Sequence, residues 1–362
     1  MNKTMPAKIK RYRSGDLEDF VKRFFIKLGV PQEDAQVSAR ILVAADLRGV
    51  SSHGVIRLYT YYGSRIQKGL IDPLTPIIPT YETATTLTLD AGNGLGMVAA
   101  SRAMERCIRM AKVSHIAVVT VRNSNHFGIA GYYAMLALKE NQIGISLTNA
   151  QPLVAPTYGR TALLGTNPIA VAVPVQGSQP FVLDMATSIV PIGKITVHEK
   201  AGEPVPLGWG MNANGMLTEN PSEILNGGAL SPLGGSDILR GYKGYGLAVV
   251  VDILSGILSG SGFGAAAGGK DRPARIGHFF MAINIGSFRP LDEFKRDMAT
   301  LLAELKHAPK ADGQERIYVA GEKEFELEAE YRAKGIPLMD EVVSGLVQAG
   351  NEVGIPFDLK VV

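Results

Sequence analysis

Apolar positions along the chain follow two rhythms. From about Asp16 to Leu28 they recur every three to four residues, at Leu17, Phe20, Val21, Phe24 and Phe25, the pattern of an amphipathic helix closed by Gly29. A second helix has Pro31 near its first turn and continues to Leu47, with Gly49 beyond it. A third is expected from Gly54 to Lys68, ending at Gly69. The rhythm then changes. Thr86–Asp90 alternates like a strand, a glycine-rich turn leads into a helix from about Val98 to Lys112, and Ile116–Val121 is apolar and β-branched. A helix near Ile129–Lys139 follows, with strands near Ile143–Thr148, Ile169–Val173 and Phe181–Leu183 and a helix around Ile189–Val197. Residues 201–244 are dense in glycine and proline and read mostly as loop. Tyr245–Leu258 is apolar on all sides, which predicts a buried helix, and Ser259–Lys270 reads as a mobile glycine-rich loop. A strand at His278–Ile285 and three late helices complete the chain. Strands and helices interleave, so the class is α/β, in its mixed α+β form.

Composition narrows the function classes. The 362 residues carry 37 basic and 34 acidic side chains, a net charge of only +3 with the signs mixed. That leaves no basic stripe, so nucleic acid is not an expected partner. The apolar window 245–258 contains Asp252 and is too short to span a bilayer, so no membrane partner is expected either. The basic start, MNKTMPAKIKRYR, lacks the apolar stretch of a secretory signal, and Cys107, the single cysteine, has no intramolecular disulfide partner. The expectation is a cytoplasmic globular protein.

Three places offer chemistry. Gly92-Asn93-Gly94-Leu95-Gly96 sits between a strand and a helix, where a dinucleotide-binding turn would sit. Its spacing is G-x-G-x-G, however, and the next strand ends at Val121-Arg122-Asn123 without the acidic residue that holds a ribose. The better reading is a tight turn before a packed helix. The second place is Ser51–Tyr61. On a helix His53, Arg57 and Tyr61 would share one face, offering an imidazole, a guanidinium fork and a phenol to a carboxylate-bearing small molecule. A solvated polar face is the bland alternative. The third is Asn123-Ser124-Asn125-His126-Phe127-Gly128, at the carboxyl end of a strand, where a histidine can take and return a proton or simply cap the next helix. His115, His198, His278 and His307 have no such company and read as ordinary structure or surface. No histidine has regular spacing with Asp, Glu or Cys, so no metal site is expected.

Five stretches in order then carry a resemblance. They are Leu47–Gly54, Ser124–Gly128, Gly165-Thr166-Asn167-Pro168, Asp184–Ser188 and Gly241–Gly246. Across roughly residues 15–355 the chain resembles the malate/L-lactate dehydrogenase family that lacks the Rossmann fold, the group that includes ureidoglycolate and sulfolactate dehydrogenases. The resemblance implies a large mixed sheet flanked by helices and a homodimer. It implies an activity that interconverts a 2-hydroxy acid and its 2-keto acid with NAD or NADP. An N-terminal substrate-binding part, 1–120, would pack with C-terminal helices of 290–362, and 121–289 would form a cofactor-binding part. The resemblance makes His126 the catalytic acid/base and gives substrate contacts to His53, Arg57 and Tyr61. It gives cofactor contacts to Asp184, Met185, Ala186, Lys243 and Gly244, with Gly321, Glu322 and Lys323 near the C-terminus. A reductase of cyclic imino acids and a silent small-molecule binder are the alternatives.

Overall fold

The computed structural model describes residues 9–362, so the first eight residues of the basic start lie outside the described residues. Seven strands form one sheet in the order Ile78–Glu82, Thr86–Asp90, Ile116–Ser124, Ile276–Asn284, Gln142–Thr148, Ile169–Val173, Phe181–Met185. Only Thr86–Asp90 and Ile116–Ser124 run parallel; the other neighbours are antiparallel. A parallel pair needs a crossover, and the Gly96–Ser114 helix supplies it. That helix packs its buried face, including Met97, Met104 and Cys107, against the sheet, where the Cys107 thiol donates to the Ala117 carbonyl at 3.2 Å. The largest apolar cluster joins it to Phe20, Phe24 and Phe25 of the Ser14–Lys27 helix and Ile41 and Leu42 of Gln32–Leu47, with Val119, Val121 and Phe280 from the strands. Each such side chain stabilises the fold by roughly 1.5–3 kcal/mol on burial.

Two expectations are corrected. The helix from Gly54 to Lys68 is not regular: a 3₁₀ turn at Ser51–His53 is followed by a π-helical turn, Leu58–Gly63, and only Ser64–Gln67 is α-helical. The apolar segment 245–258 is helical, as Tyr242–Asp252 continuing into a π-helical turn at Ile253–Ile257, but only one face is buried, through Ala248, Val251, Asp252 and Ser255. Leu247, Val250, Ile253, Ile257 and Leu258 are all exposed, because an all-apolar helix satisfies a second surface as readily as its own core. Two short strands, Ile9–Tyr12 and Ile336–Met339, pair with each other although their sequences carry no clear alternation.

The glycine turn has a structural task. A Cβ on Gly96 would lie 2.0 Å from the Asn125 carbonyl oxygen, so only glycine lets the two loops meet. Asn125 Nδ2 then donates to the carbonyls of Asn93 and Gly94 at 3.0 and 2.9 Å. The turn that imitates a dinucleotide loop therefore seats the loop bearing His126.

Candidate active site

His126 follows the central Ile116–Ser124 strand and precedes the Ala130–Leu136 helix. Two anchors fix its backbone. Asn125 is fully buried on the glycine turn, and Phe127 stacks on the His278 ring with centroids 4.7 Å apart and planes 10° apart. His278 is itself fully buried, with Nδ1 2.7 Å from the Thr148 hydroxyl and Nε2 2.8 Å from the Ser124 hydroxyl. Burial pushes it down to about 3. His278 is thus a neutral strut beneath the His126 loop.

Around His126 three aromatic rings converge. The His53 ring stacks at 5.4 Å, the Tyr61 ring lies at 5.3 Å, and the Tyr62 hydroxyl is 2.7 Å from His126 Nδ1. The π-helical turn explains why two consecutive tyrosines reach one histidine: its wider winding departs from the α-helical angle that would point Tyr62 elsewhere. Burial first, then the neighbouring His53 and Arg57, holds the His126 imidazole well below the usual histidine range. His53 is pushed down to about 4, by burial and then by Arg57. Both rings are neutral at neutral pH.

The turn carrying His53 and Arg57 is held from below. Asp46, buried, accepts from the Val55 amide at 2.8 Å, and burial pushes its carboxyl up to about 7. Ser52 Oγ is 2.8 Å from His53 Nδ1, and Arg57 donates through Nε to the Ser52 carbonyl at 2.8 Å. Neither Asp46 nor Tyr62 stands out in the sequence. The available signal for Tyr62 is that a tyrosine in an apolar setting needs a partner for its hydroxyl.

Beside this face opens a cleft of about 500 Å³. One wall is Arg48, Val50, Ser52 and His53; the other includes Gly128–Gly131, Thr166, Pro168, Val182–Asp184 and Ala186, with Tyr318–Gly321, Lys323 and Glu324 at the rim. The Asp184 side chain is open to the cleft yet hemmed by protein atoms, and this crowding raises its carboxyl to about 6. It accepts from the Gly131 amide at 2.7 Å, an approach so close that a Cβ on Gly131 would lie 2.8 Å from the carboxylate oxygen. Small and glycine residues, two carboxylates, an arginine and a lysine suit a flat heteroaromatic ring with its ribose and phosphates, in a volume ordinary for small ligands.

The structure brings some expected residues together and sets others apart. His53 and His126 meet, and Asp184, Ala186, Gly321 and Lys323 line the neighbouring cleft. Met185 is half-buried next to Asp184 in the edge strand. Lys243 is exposed on the first turn of the apolar Tyr242–Asp252 helix, and Gly244 is buried against the Leu233 backbone. Glu322 points to Lys306 and Arg316, at 2.5 and 3.3 Å, lining a different groove. Among the described residues no cluster of three His, Cys, Asp or Glu side chains could hold a metal, and no helix is long and apolar enough to cross a membrane.

The family described as malate/L-lactate dehydrogenase matches residues 13–347. A malate dehydrogenase from Pyrococcus abyssi is 47% identical over 349 residues, 95% of each chain. An L-sulfolactate dehydrogenase from Methanocaldococcus jannaschii is 39% identical, over 92% of this chain and 94% of that one. The crystal structure of malate dehydrogenase from Entamoeba histolytica superposes with a TM-score of 0.93 at 37% identity, covering 97% of this chain and 100% of that chain. The chain therefore belongs to the malate/L-lactate dehydrogenase family and is an NAD(P)-dependent 2-hydroxyacid dehydrogenase.

Proposed function

We propose that the protein interconverts malate, or a 2-hydroxy acid like it, and the corresponding 2-keto acid, with His126 as the acid/base. The observation that carries this reading is the convergence of His53, Tyr61 and Tyr62 on His126 beside the cleft. Bound in that cleft, the nicotinamide supplies the redox step, exchanging a hydride with C2 of the acid. Everything else falls to the protein.

During oxidation His126 accepts the hydroxyl proton, and during reduction it returns that proton to the keto oxygen. Tyr62 and Gly128 fix the ring: the Tyr62 hydroxyl lies 2.7 Å from Nδ1, and the Gly128 amide donates to the same nitrogen at 3.3 Å. The depressed basicity of His126 keeps the ring unprotonated, and so able to accept a proton, at neutral pH. Arg57 spends only Nε on Ser52, so its two terminal nitrogens hold the C1 carboxylate, with His53 and Tyr61 adding hydrogen bonds. Asp184 and Ala186, with Met185 between them, would hold the ribose and amide end of the cofactor, with Gly321 and Lys323 at the rim. The 121–289 part thus supplies most of the cofactor cleft, the C-terminal part adds Gly321 and Lys323, and the 51–61 face of the 1–120 part holds the acid.

NAD is the proposed cofactor; NADP is the second arm of the test. Malate is favoured over lactate because relatives named for malate and for sulfolactate share a substrate with a second acid group. Absorbance at the reduced-nicotinamide band, with NADH and NADPH offered separately to oxaloacetate, pyruvate and a cyclic imino acid, tests all of this at once. Oxaloacetate consumption with NADH is expected. Turnover of the imino acid alone overturns the reading.

The exposed apolar face of the Tyr242–Ile257 helical segment supports a homodimer built across it. Sedimentation should show a dimer that Ile253→Glu converts to a monomer; an unchanged dimer places the interface elsewhere.

A further inference from the structure

The proposed mechanism leaves a buried cation without a task and without an acidic partner, Arg65. Arg65 is only 7% exposed, in the short Ser64–Gln67 helix that continues the π-helical turn. Its partners are backbone carbonyls: Nη1 donates to Gly269 at 2.8 Å and to Lys270 at 3.4 Å, and Nη2 to Arg272 at 2.7 Å. Its buried Nε has no partner. Carbonyl dipoles compensate a buried guanidinium only in part, so the site retains unbalanced positive charge. The glycine-rich stretch expected to be a mobile loop is therefore clamped at residues 269–272 by a side chain from the substrate face.

Position gives the clamp a purpose. The Arg65 guanidinium lies 5.3 Å from the centre of the Tyr61 ring, and that ring lies 5.3 Å from His126. In the proposed pose the C1 carboxylate belongs to Arg57 and His53 and the hydroxyl belongs to His126. The remainder of the acid, from C3 outward, then falls on the Tyr61 side. There it meets the clamped segment, in which Lys270 and Arg272 outnumber Asp271, with Arg65 beside Tyr61. Arg272 is itself turned onto the loop, donating to the Ala265 carbonyl at 2.8 Å.

We infer that Arg65 is a specificity-setting positioning residue: bonded to the 269–272 segment on one side and lying beside Tyr61 on the other, it completes a net positive wall, Arg65, Lys270 and Arg272 against Asp271, that selects 2-hydroxy acids carrying a second anionic group. This rests on the dehydrogenase reading above and deepens it. The guanidinium acts through the loop and through its field, not by touching the reacting atoms. Lysine keeps the charge but cannot bridge two carbonyls as a planar fork does, so it restores only part of the function.

The test compares oxaloacetate, with two carboxylates, and pyruvate, with one, in wild type, Arg65→Lys and Arg65→Gln. For Arg65→Gln the expected result is a 10- to 100-fold fall in kcat/KM for oxaloacetate, mostly through KM. The change for pyruvate stays within about threefold, and Arg65→Lys lies between wild type and Arg65→Gln. Equal losses on both acids make Arg65 a purely structural residue and overturn the inference, as does an unchanged oxaloacetate KM in both variants. If Arg65→Gln does not fold, the same split is read from Arg65→Lys alone. Wild-type protein inert on both acids overturns the dehydrogenase reading itself, and this inference with it.

Discussion

The two sides of the cleft handle charge in contrasting ways. On the substrate side, basic groups are pushed toward their neutral forms: His53 goes down to about 4, and His126 well below its ordinary range. On the cofactor side an acidic group is pushed the same way, with Asp184 raised to about 6. Burial is the largest cause in all three. The difference lies in the partners. The substrate side supports its groups chiefly by side-chain hydroxyls, Tyr62 on His126 and Ser52 on His53, with the Gly128 amide as a second contact to His126. The cofactor side relies on backbone, the Gly131 amide on Asp184. A proton-transfer ring needs a fixed orientation and a partner that can itself give or take a proton, which a hydroxyl provides. A group that only positions a ligand needs a fixed direction, and an amide is enough.

Substitutions on the two sides should therefore fail differently. His126→Ala is the largest expected effect: kcat should fall by ~10²–10⁴-fold while cofactor affinity, measured by fluorescence titration of the reduced nicotinamide, stays within about twofold. A matching loss of cofactor affinity would merge the two sides. Asp184→Ala should do the reverse, weakening cofactor binding roughly 10- to 100-fold, the scale of one hydrogen bond from a charged group, with kcat at saturation nearly unchanged. A collapsed kcat there would give Asp184 a part in the chemistry. Tyr62→Phe is the smallest of the three. It removes the hydroxyl partner of Nδ1 and should cost kcat up to about tenfold without changing cofactor affinity. An unaffected kcat would mean that Nδ1 needs no partner.

Much of this arrangement is legible in the sequence, and the exceptions have physical causes. The sheet strands announce themselves as β-branched runs, and Ile169–Val173 and Thr86–Asp90 fall within the ranges expected. Helical spacing correctly groups His53, Arg57 and Tyr61 on one side, although the segment is a 3₁₀ turn and a π-helical turn rather than an α-helix. That departure hides Tyr62, since α-helical periodicity sends neighbouring residues in different directions. Asp46 is hidden for another reason. A carboxylate three residues before Gly49-Val50 reads as a surface acid, and only the fold shows it buried beneath Val55. The exposed helix at 242–257 is misread because its composition reports that it must be covered and not what covers it. Glu322 shows the limit of short motifs. Adjacent residues point apart at a helix start, so Lys323 lines the cleft while Glu322 pairs with Lys306 and Arg316.

The central claim is that His126, kept neutral by burial, carries the proton. The most direct measurement is the pH dependence of kcat/KM for hydroxy-acid oxidation, in wild type beside His126→Ala. Oxidation needs the unprotonated ring. A histidine whose basicity is lowered stays unprotonated as pH falls through the ordinary histidine value of about 6.5. Wild type should therefore hold its activity through that range and lose it only at distinctly lower pH, whereas the residual activity of His126→Ala should lack that acid limb. The same acid limb in both proteins would show that another group carries the proton.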